Sequence, residues 1–342
     1  MFRLPFFIYV GLKNFTRGGY EKAAASFDAS LTKRDLKGVS AMVTGANQGI
    51  GYQASLDLAS RGSTLYMICR NETRGKEAVE KVKQETGNTD VHLRLCDLSS
   101  LSSIFTFAKD FEASGKPLHL LVNNAGLMVH EGERSVDNYE MNFAVNTLGN
   151  YAITRALEPV LKRTAATASA ATSGSKNPPA VRVIFVASGG ALTEHLEIDD
   201  LEGTKIAQKK DFGTIQYARD KRRQLAITEQ LAKEWTNTAA PAAAVHVFAM
   251  HPGWTSTEGV KTSIPDFYAR LKDKLRTLPQ GADTILYLCL ESIEKLKSGE
   301  FYLDRKVQSK HLPLAGTRYS EEEAKKLTAV LDGLISKAKL SS

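Results

Sequence analysis

The stretch VSAMVTGANQGIG, residues 39–51, decides the fold. An apolar run ends in a glycine-rich turn and a helical pattern follows, which predicts a strand, a tight turn and a helix. Gly45 allows the sharp turn, Gly49 lets the backbone approach a phosphate, and Gly51 lets the helix pack closely on the strand. Free N–H groups and the helix dipole at the helix start favour a pyrophosphate. The spacing differs from Gly-x-Gly-x-x-Gly and from a Walker loop, so a purely structural glycine turn is the alternative.

Composition sets the broad class. The chain has 342 residues, of which 42% are hydrophobic and 24% charged, as in globular proteins that hold one large or two small domains. The net charge of +7 suits an anionic partner, such as a phosphorylated cofactor, an acidic membrane or nucleic acid. Nucleic acid is disfavoured because the basic residues are scattered and no arginine-rich tract is present.

The cysteines and histidines indicate the redox state of the compartment and whether a metal site is expected. The three cysteines are far apart and form no Cys-x-x-Cys motif, which indicates reduced thiols and a reducing, cytoplasmic compartment. The seven histidines show no metal-ligand spacing, so no metal site is predicted.

Apolar strands alternate with helical patterns from residue 38 onward. This alternation predicts one doubly wound, Rossmann-type α/β domain over residues 38–342, with a parallel sheet and right-handed crossovers. The low-complexity segment Thr164–Ala180 is interpreted as a mobile surface loop, because the sheet pattern resumes directly after it. The predicted strands are 39–43, 64–69, 91–95, 118–122, 181–186, 244–249 and 300–302. The predicted helices are 50–61, 73–86, 101–114, 136–162, 215–236 and 282–292.

Residues 1–37 form an N-terminal extension. Residues 2–20 are rich in aromatics, basic and free of acids, and the apolar run 4–10 is too short to cross a bilayer. A helix packed on the domain is favoured over an amphipathic segment on a membrane surface, and a transit peptide is a third option.

Arg70 follows the second strand, where a dinucleotide fold meets the adenosine ribose. An arginine at this position suits a 2′-phosphate, so Arg70, with Asn71 and Arg74, indicates NADP(H) over NAD(H). A solvent-facing arginine at a strand end is the alternative. Asp97-Leu98 follows the third strand, where adenine would lie, although Asp97 suits a helix cap equally.

Tyr217 and Lys221 are four residues apart on a predicted helix, so both point from one face. A lysine ammonium one turn away would lower the tyrosine pKa and make it a usable acid–base group. Ser188 ends the fifth strand, where its hydroxyl would hold a carbonyl or an alcohol. Asn146 would hold a water in a proton relay to Lys221.

These residues, with Asn123 to Gly126 and Pro252-Gly253, resemble the short-chain dehydrogenase/reductase family over about residues 37–310. The resemblance implies a seven-stranded parallel sheet in the order 3-2-1-4-5-6-7. It implies Tyr217 as general acid/base, Ser188 as substrate-orienting hydroxyl, Lys221 as ribose binder and pKa modulator, and Asn146 in the relay. Asp220 and Ala187 depart from the family pattern, and Asp220 is expected to alter the electrostatics of Lys221. The residues expected to bind the cofactor are Thr44, Gly45, Asn47, Gln48, Gly49, Ile50, Gly51, Arg70, Asn71, Arg74, Asp97, Leu98, Asn124, Ala125, Gly126, Tyr217, Lys221, Pro252, Gly253, Thr255 and Thr257.

The substrate has a weaker signature. Phe267, Leu271, Leu275 and Leu278 would form one helical face over the cleft and favour an apolar carbonyl compound or alcohol, with ordinary core as the alternative. The sequence thus predicts an NADP(H)-dependent oxidoreductase that interconverts a carbonyl and an alcohol. A cofactor-binding regulator or scaffold with little turnover is the alternative, and homo-oligomerisation is left open.

Overall fold

The centre of the molecule is an eight-stranded sheet. The computed structural model describes residues 3–170, 180–236, 244–313 and 315–340. The strand order is β3-β2-β1-β4-β5-β6-β7-β8, which confirms the predicted order of the first seven strands, all parallel. The strands are β1 Ser40–Thr44, β2 Thr64–Cys69, β3 Val91–Leu95, β4 Leu120–Asn123, β5 Val181–Val186, β6 Val245–Met250, β7 Phe301–Leu303 and β8 Lys306–Gln308.

The eighth strand was not predicted. It runs antiparallel to β7 across a two-residue turn of Asp304 and Arg305, whose φ angles are 51° and 62°. Two positive φ angles match the twist of a two-residue hairpin, and such turns usually contain Asn-Gly or Asp-Gly. Neither residue here is a glycine, so the sequence lacked the usual signal.

Helices cover both faces of the sheet. One apolar core lies under α3, α4 and α11, and the other under α5 to α8 and α12. Strands such as β5 are buried along their whole length, because a parallel sheet covered on both faces needs apolar residues on both. The helices are α1 Arg3–Asn14, α2 Arg17–Ala24, α3 Gly49–Ala59, α4 Glu72–Thr86, α5 Leu101–Ala113, α6 Asn150–Ala156, α7 Glu158–Ala170, α8 Phe212–Thr236, α9 Glu258–Ser263, α10 Pro265–Leu271, α11 Leu278–Leu290 and α12 Glu321–Leu340.

The helix predicted over 136–162 differs from the structure. It begins instead at Met141, passes into a π-helical segment, Phe143–Gly149, which is wholly buried, and continues as α6 and α7. Wider π turns re-aim a helix and often occur at functional sites. Since α7 extends to Ala170, the loop predicted from Thr164 is wrong for its first seven residues. Residues 171–179 lie outside the described residues.

The N-terminal extension packs on the domain, as favoured from the sequence. Phe15 is buried in an apolar cluster with Phe7, Val10 and Trp254, and Gly11 lets α1 lie against the Trp254 indole. The opposite face of α1 is exposed and carries Leu4, Phe6, Ile8, Tyr9 and Leu12. Within the described ranges, no helix has the length and apolar character needed to cross a bilayer.

Candidate active site

The glycine-rich turn after β1 lies at the carboxyl edge of the sheet. Gly45 and Gly49 have φ angles of 62° and 58°, which side chains other than glycine rarely adopt. A Cβ on Gly45 would lie 3.0 Å from the Ala125 Cα, and a Cβ on Gly51 would collide with the Asn124 amide. Glycine is therefore required at these positions so that the turn and the start of α3 can approach the loop after β4.

Thr44 and Asn124 tie the ends of β1 and β4 together. The buried Thr44 hydroxyl accepts hydrogen bonds from the N–H groups of Asn124 (3.0 Å) and Ala125 (2.9 Å). The Asn124 amide donates to the Thr44 carbonyl at 2.9 Å. Both side chains therefore make their hydrogen bonds within the protein. They support the surface formed by the glycine turn and the loop after β4, which we call the cradle. The partly or fully exposed residues of the turn are Gly45, Asn47, Gln48, Gly49 and Ile50.

The predicted adenosine end adjoins this turn. The Gly45 N–H donates to the Ile68 carbonyl at 2.9 Å, which places Arg70, two residues further along, beside the turn. Arg70 and Arg74 are both exposed, whereas the Asn71 side chain caps α4 by accepting from the Arg74 N–H. Two exposed arginines thus lie at the predicted adenosine end, beside the glycine turn.

Asp97 occupies the next loop along the edge. Its carboxylate accepts from the N–H and hydroxyl of Ser99, at 2.9 and 2.7 Å, and so shapes the loop that contains the buried Leu98. The cap of α5 is Ser100, so the alternative of Asp97 as helix cap is wrong.

The loop after β6 covers the glycine turn from the other side. A Cβ on Gly49 would lie 3.7 Å from the Thr257 Cγ2, and Thr257 caps α9 by accepting from the Val260 N–H. Gly253 has a φ of 73° and backs onto the Arg276 guanidinium. Thr255 donates to the Pro252 carbonyl at 3.0 Å. The Thr257 side chain therefore lies beside the glycine turn, whereas Gly253 and Thr255 are buried within the loop.

Ser188, Tyr217 and Lys221 meet at the end of β5. Tyr217 and Ser188 share a side-chain hydrogen bond, and the Lys221 Nζ lies 5.5 Å from the centre of the Tyr217 ring. The Lys221 ammonium donates to the Val186 carbonyl at 2.7 Å, which fixes it under the strand. The predicted trio is thus assembled by β5 and one face of α8.

The acid–base properties of this trio differ from the expectation. Burial raises the pKa of Tyr217 to about 12, the hydrogen bond from Ser188 lowers it, and the charge of Asp220 raises it. Burial also lowers the pKa of Lys221 to about 8, against an upward influence of Asp220. The pKa of Tyr217 therefore lies above its ordinary value, because the loss of hydration outweighs the hydrogen bond from Ser188.

Asp220 alters the electrostatics of Lys221, as its unusual position suggested. It is fully buried and accepts from Thr147 at 2.7 Å and from Arg223 at 2.8 Å. Its second oxygen has no hydrogen-bond partner among the described residues, and burial raises the pKa of this carboxyl to about 6.

Asn146 is connected to Lys221 by a residue that the sequence analysis missed. Its side chain bonds the Leu127 backbone, accepting at 2.9 Å and donating at 2.8 Å. The Asn146 backbone carbonyl accepts from the Gln224 side-chain amide at 2.7 Å, and the Gln224 side-chain oxygen accepts from the Lys221 Nζ at 3.3 Å. Gln224 therefore bridges the two predicted relay groups directly. Its spacing of three residues from Lys221 on one helix was the available signal.

The predicted apolar helical face over the cleft is not continuous. The helix α10 ends at Leu271, and Leu275 is buried before α11 begins at Leu278. Of the four predicted residues, Phe267 packs edge-on against Trp254, with ring centres 5.1 Å apart.

The α9–α10 segment is fastened across the cleft. The Ser263 hydroxyl donates to the Met128 carbonyl at 2.9 Å, and the His130 ring nitrogen donates to the Ser263 carbonyl at 2.6 Å. These two hydrogen bonds therefore tie the α9–α10 segment to the loop after β4, across the cleft.

The edge as a whole fits a dinucleotide. A Cβ on Gly126 would lie 3.2 Å from the Asn146 Oδ1 and 3.3 Å from the Lys221 Nζ, so the absence of a side chain keeps the cradle open beside the lysine. Because the glycine turn, Gly126 and the loop that contains Thr257 lie together at the carboxyl edge of the sheet, the crevice between them, which we call the groove, is where a dinucleotide is expected to bind. Among the described residues, no group of three or more His, Cys, Asp or Glu side chains could hold a metal ion.

Comparisons with known proteins agree with this architecture. The family model described as short chain dehydrogenase matches residues 40–197. The chain is 39% identical to the human protein named Dehydrogenase/reductase SDR family member 12, over 95% of each chain. It is 34% identical to mouse Retinol dehydrogenase 11, over 78% of each chain. A solved structure, the Pseudomonas aeruginosa RhlG/NADP active-site complex, shares the fold with a TM-score of 0.59 and 20% identity, covering 78% of this chain and 94% of the other.

Proposed function

This chain belongs to the short-chain dehydrogenase/reductase family, and we propose that it is an NADP(H)-dependent oxidoreductase that interconverts a carbonyl and an alcohol on an apolar small molecule. The observation that carries the proposal is the cluster of Ser188, Tyr217 and Lys221 at the end of the groove. A protein that only sensed or carried a dinucleotide would have no need of this acid–base set.

Each side chain has a distinct task. Tyr217 holds the proton on its phenolic oxygen and transfers it to or from the substrate oxygen. Ser188 orients that oxygen through its hydroxyl, and Lys221, fixed by the Val186 carbonyl, places positive charge under the tyrosine. The nicotinamide, when bound, supplies or accepts the hydride. Tyr217 is protonated at neutral pH, because burial raises its pKa to about 12.

The preference for NADP(H) is supported by Arg70 and Arg74. Both are exposed at the edge where β2 adjoins the glycine turn. Guanidinium groups form strong, charge-assisted hydrogen bonds with phosphate.

An activity screen tests the proposed function. Aldehydes, ketones, retinoids and steroids are offered with NADPH, and cofactor oxidation is followed. We expect turnover with at least one apolar carbonyl compound, and loss of that turnover in Tyr217→Phe with NADPH binding retained. Tight NADPH binding with no turnover on any class would favour the alternative, a cofactor-binding regulator.

We also propose that α1 makes peripheral contact with a membrane surface. Its exposed face carries Leu4, Ile8, Tyr9 and Leu12, and the basic residue Lys13 adjoins it. Apolar side chains beside a lysine suit an anionic lipid surface. Sedimentation with vesicles that contain anionic lipid should recover the wild type and should lose Tyr9→Glu. Equal recovery of both proteins would contradict this contact.

The proposed compartment is the cytoplasm, with this contact holding the protein at a membrane surface. Cys69, Cys96 and Cys289 are free and buried, which suits a reducing compartment.

A further inference from the structure

The turn that carries Ser188 is fixed by a buried histidine. Ser188 caps a short 3₁₀ helix, Gly189–Leu192, through its side chain. The Gly189 backbone N–H donates to the His251 ring Nδ1 at 3.1 Å, and the His251 backbone N–H donates to the Tyr302 carbonyl at 2.8 Å. The orientation of the Ser188 turn therefore depends on where the His251 imidazole sits.

His251 is itself held by the N-terminal extension. It is 2% exposed, and its ring packs edge-to-face on Phe15 with centres 4.4 Å apart. A Cβ on Gly189 would lie 2.8 Å from the His251 Nε2 and 2.9 Å from the Phe15 Cε2. The Phe15 ring, the imidazole and the backbone next to Ser188 are thus in mutual contact, with no room for another group.

The imidazole has one defined tautomer. Burial, with the charge of Arg276, lowers the pKa of His251 to about 3, so the ring is neutral. Because Nδ1 accepts from Gly189, the proton lies on Nε2, which has no hydrogen-bond partner among the described residues. Ring packing by Phe15 on its edge and by Phe301, which stacks on it with ring centres 6.5 Å apart, therefore sets the position of the histidine in place of a second hydrogen bond.

Phe15 is fastened to the loop after β6 through its backbone. Its carbonyl accepts from the Trp254 N–H at 2.7 Å and from the Arg276 Nε at 3.0 Å. Arg276 also donates to the Asn14 carbonyl at 2.7 Å and pairs with Asp304 at 2.6 and 2.9 Å. Because Arg276 is 1% exposed, these bonds are shielded from water. The extension is consequently bonded into the wall of the groove.

We propose that Phe15 is a positioning residue that acts through His251 to hold the Ser188 turn against Tyr217, so that the N-terminal extension is part of the active site. This inference rests on the proposed function, because it assigns to Phe15 an effect on the proton-transfer step. Phe15 does not line the groove at the glycine turn, so the cofactor should bind as before when it is changed.

The experiment uses matched variants of the full chain. Phe15→Leu removes the ring and keeps an apolar side chain. Phe7→Leu makes the same change in a neighbour whose ring lies 6.0 Å from Phe15 and 6.4 Å from Trp254. We expect Phe15→Leu to lower kcat at least tenfold with the NADPH Kd within about twofold, and Phe7→Leu to leave kcat within about twofold. Equal kcat values for the two variants would overturn the proposal, as would a parallel loss of NADPH binding in Phe15→Leu.

Two histidine variants separate packing from hydrogen bonding. His251→Phe keeps a ring against Phe15 and loses the acceptor for Gly189, whereas His251→Asn keeps an acceptor near the Nδ1 position. The proposal predicts that His251→Asn retains more kcat than His251→Phe, at matched thermal stability. A His251→Phe variant with wild-type kcat would contradict it.

A spectroscopic readout distinguishes failure of this inference from failure of the proposed function. Nitrogen-15 NMR of labelled histidine needs no substrate, and it should show His251 protonated on Nε2 in the wild type. Phe15→Leu should shift both ring-nitrogen resonances, and Phe7→Leu should leave them in place. Absence of wild-type turnover would refute the function alone, while unchanged His251 resonances in Phe15→Leu would refute the positioning role alone.

Discussion

Replacing Arg70 with alanine should change which cofactor the protein binds. Arg70 is exposed and lies beside the glycine turn, where only NADP(H) presents a 2′-phosphate. A charge-assisted hydrogen bond contributes about 1.5–3 kcal/mol, which corresponds to roughly 10- to 150-fold in affinity. Solvent screening and the neighbouring Arg74 favour the lower part of this range. We therefore expect Arg70→Ala to weaken NADPH binding by about tenfold and to change NADH binding little.

Titration of both cofactors at one fixed salt concentration measures this effect. Lys76→Ala is the matched control, because it removes one exposed positive charge from helix α4, which follows Arg70, and Lys76 pairs there with Glu72 at 2.7 Å. Its NADPH affinity should stay near that of the wild type. Arg70→Asp should reverse the preference, since it repels the phosphate and accepts from a free hydroxyl. Equal losses for NADPH and NADH in Arg70→Ala would mean that the residue is structural, and a wild-type preference for NADH would refute the assignment of the β2 edge.

Three further predictions follow from the buried groups. The pKa of Lys221 is about 8 in the folded protein and 10.5 ordinarily, so its contribution to the free energy of unfolding should rise by up to about 3 kcal/mol between pH 8 and pH 10.5. Chemical denaturation across this pH range should show a smaller rise in Lys221→Met, and identical pH profiles for the two proteins would contradict the lowered pKa. Gln224→Leu should lower kcat with unchanged NADPH affinity, because it breaks the bridge from Lys221 to the Asn146 carbonyl; steady-state kinetics with wild-type kcat would refute the bridge. Deletion of residues 1–16 should lower the free energy of unfolding by at least about 3 kcal/mol, since it removes the buried Phe15; an unchanged Tm would show that the extension is dispensable to the fold.

The fold was predictable because its signals are local and repeated. The strands β2, β3 and β5 are where their apolar runs predict them, and the order of seven strands follows from the family resemblance. The π-helical segment at Phe143–Gly149 was not predictable, because a wide turn inside a helix has no periodic signature of its own.

The site was predictable in its residue types and less so in its electrostatics. Ser188, Tyr217 and Lys221 come together as their positions at a strand end and on one helix face require. The raised pKa of Tyr217 depends on burial by many residues, which a spacing of four cannot reveal. The contact of Phe15 with His251 joins positions more than two hundred residues apart, so no local pattern could indicate it.

Transfer of deuterium from labelled NADPH to the substrate carbon would show directly that this protein moves a hydride with the help of Tyr217. The carbonyl substrate found in the screen is incubated with NADPH that carries deuterium at both hydrogen positions of the nicotinamide C4, and the product alcohol is examined by mass spectrometry. The account predicts deuterium on the carbinol carbon with the wild type, and none above background with Tyr217→Phe, which should still bind NADPH. An alcohol that forms without the label, or labelled alcohol formed equally well by Tyr217→Phe, would contradict hydride transfer assisted by Tyr217.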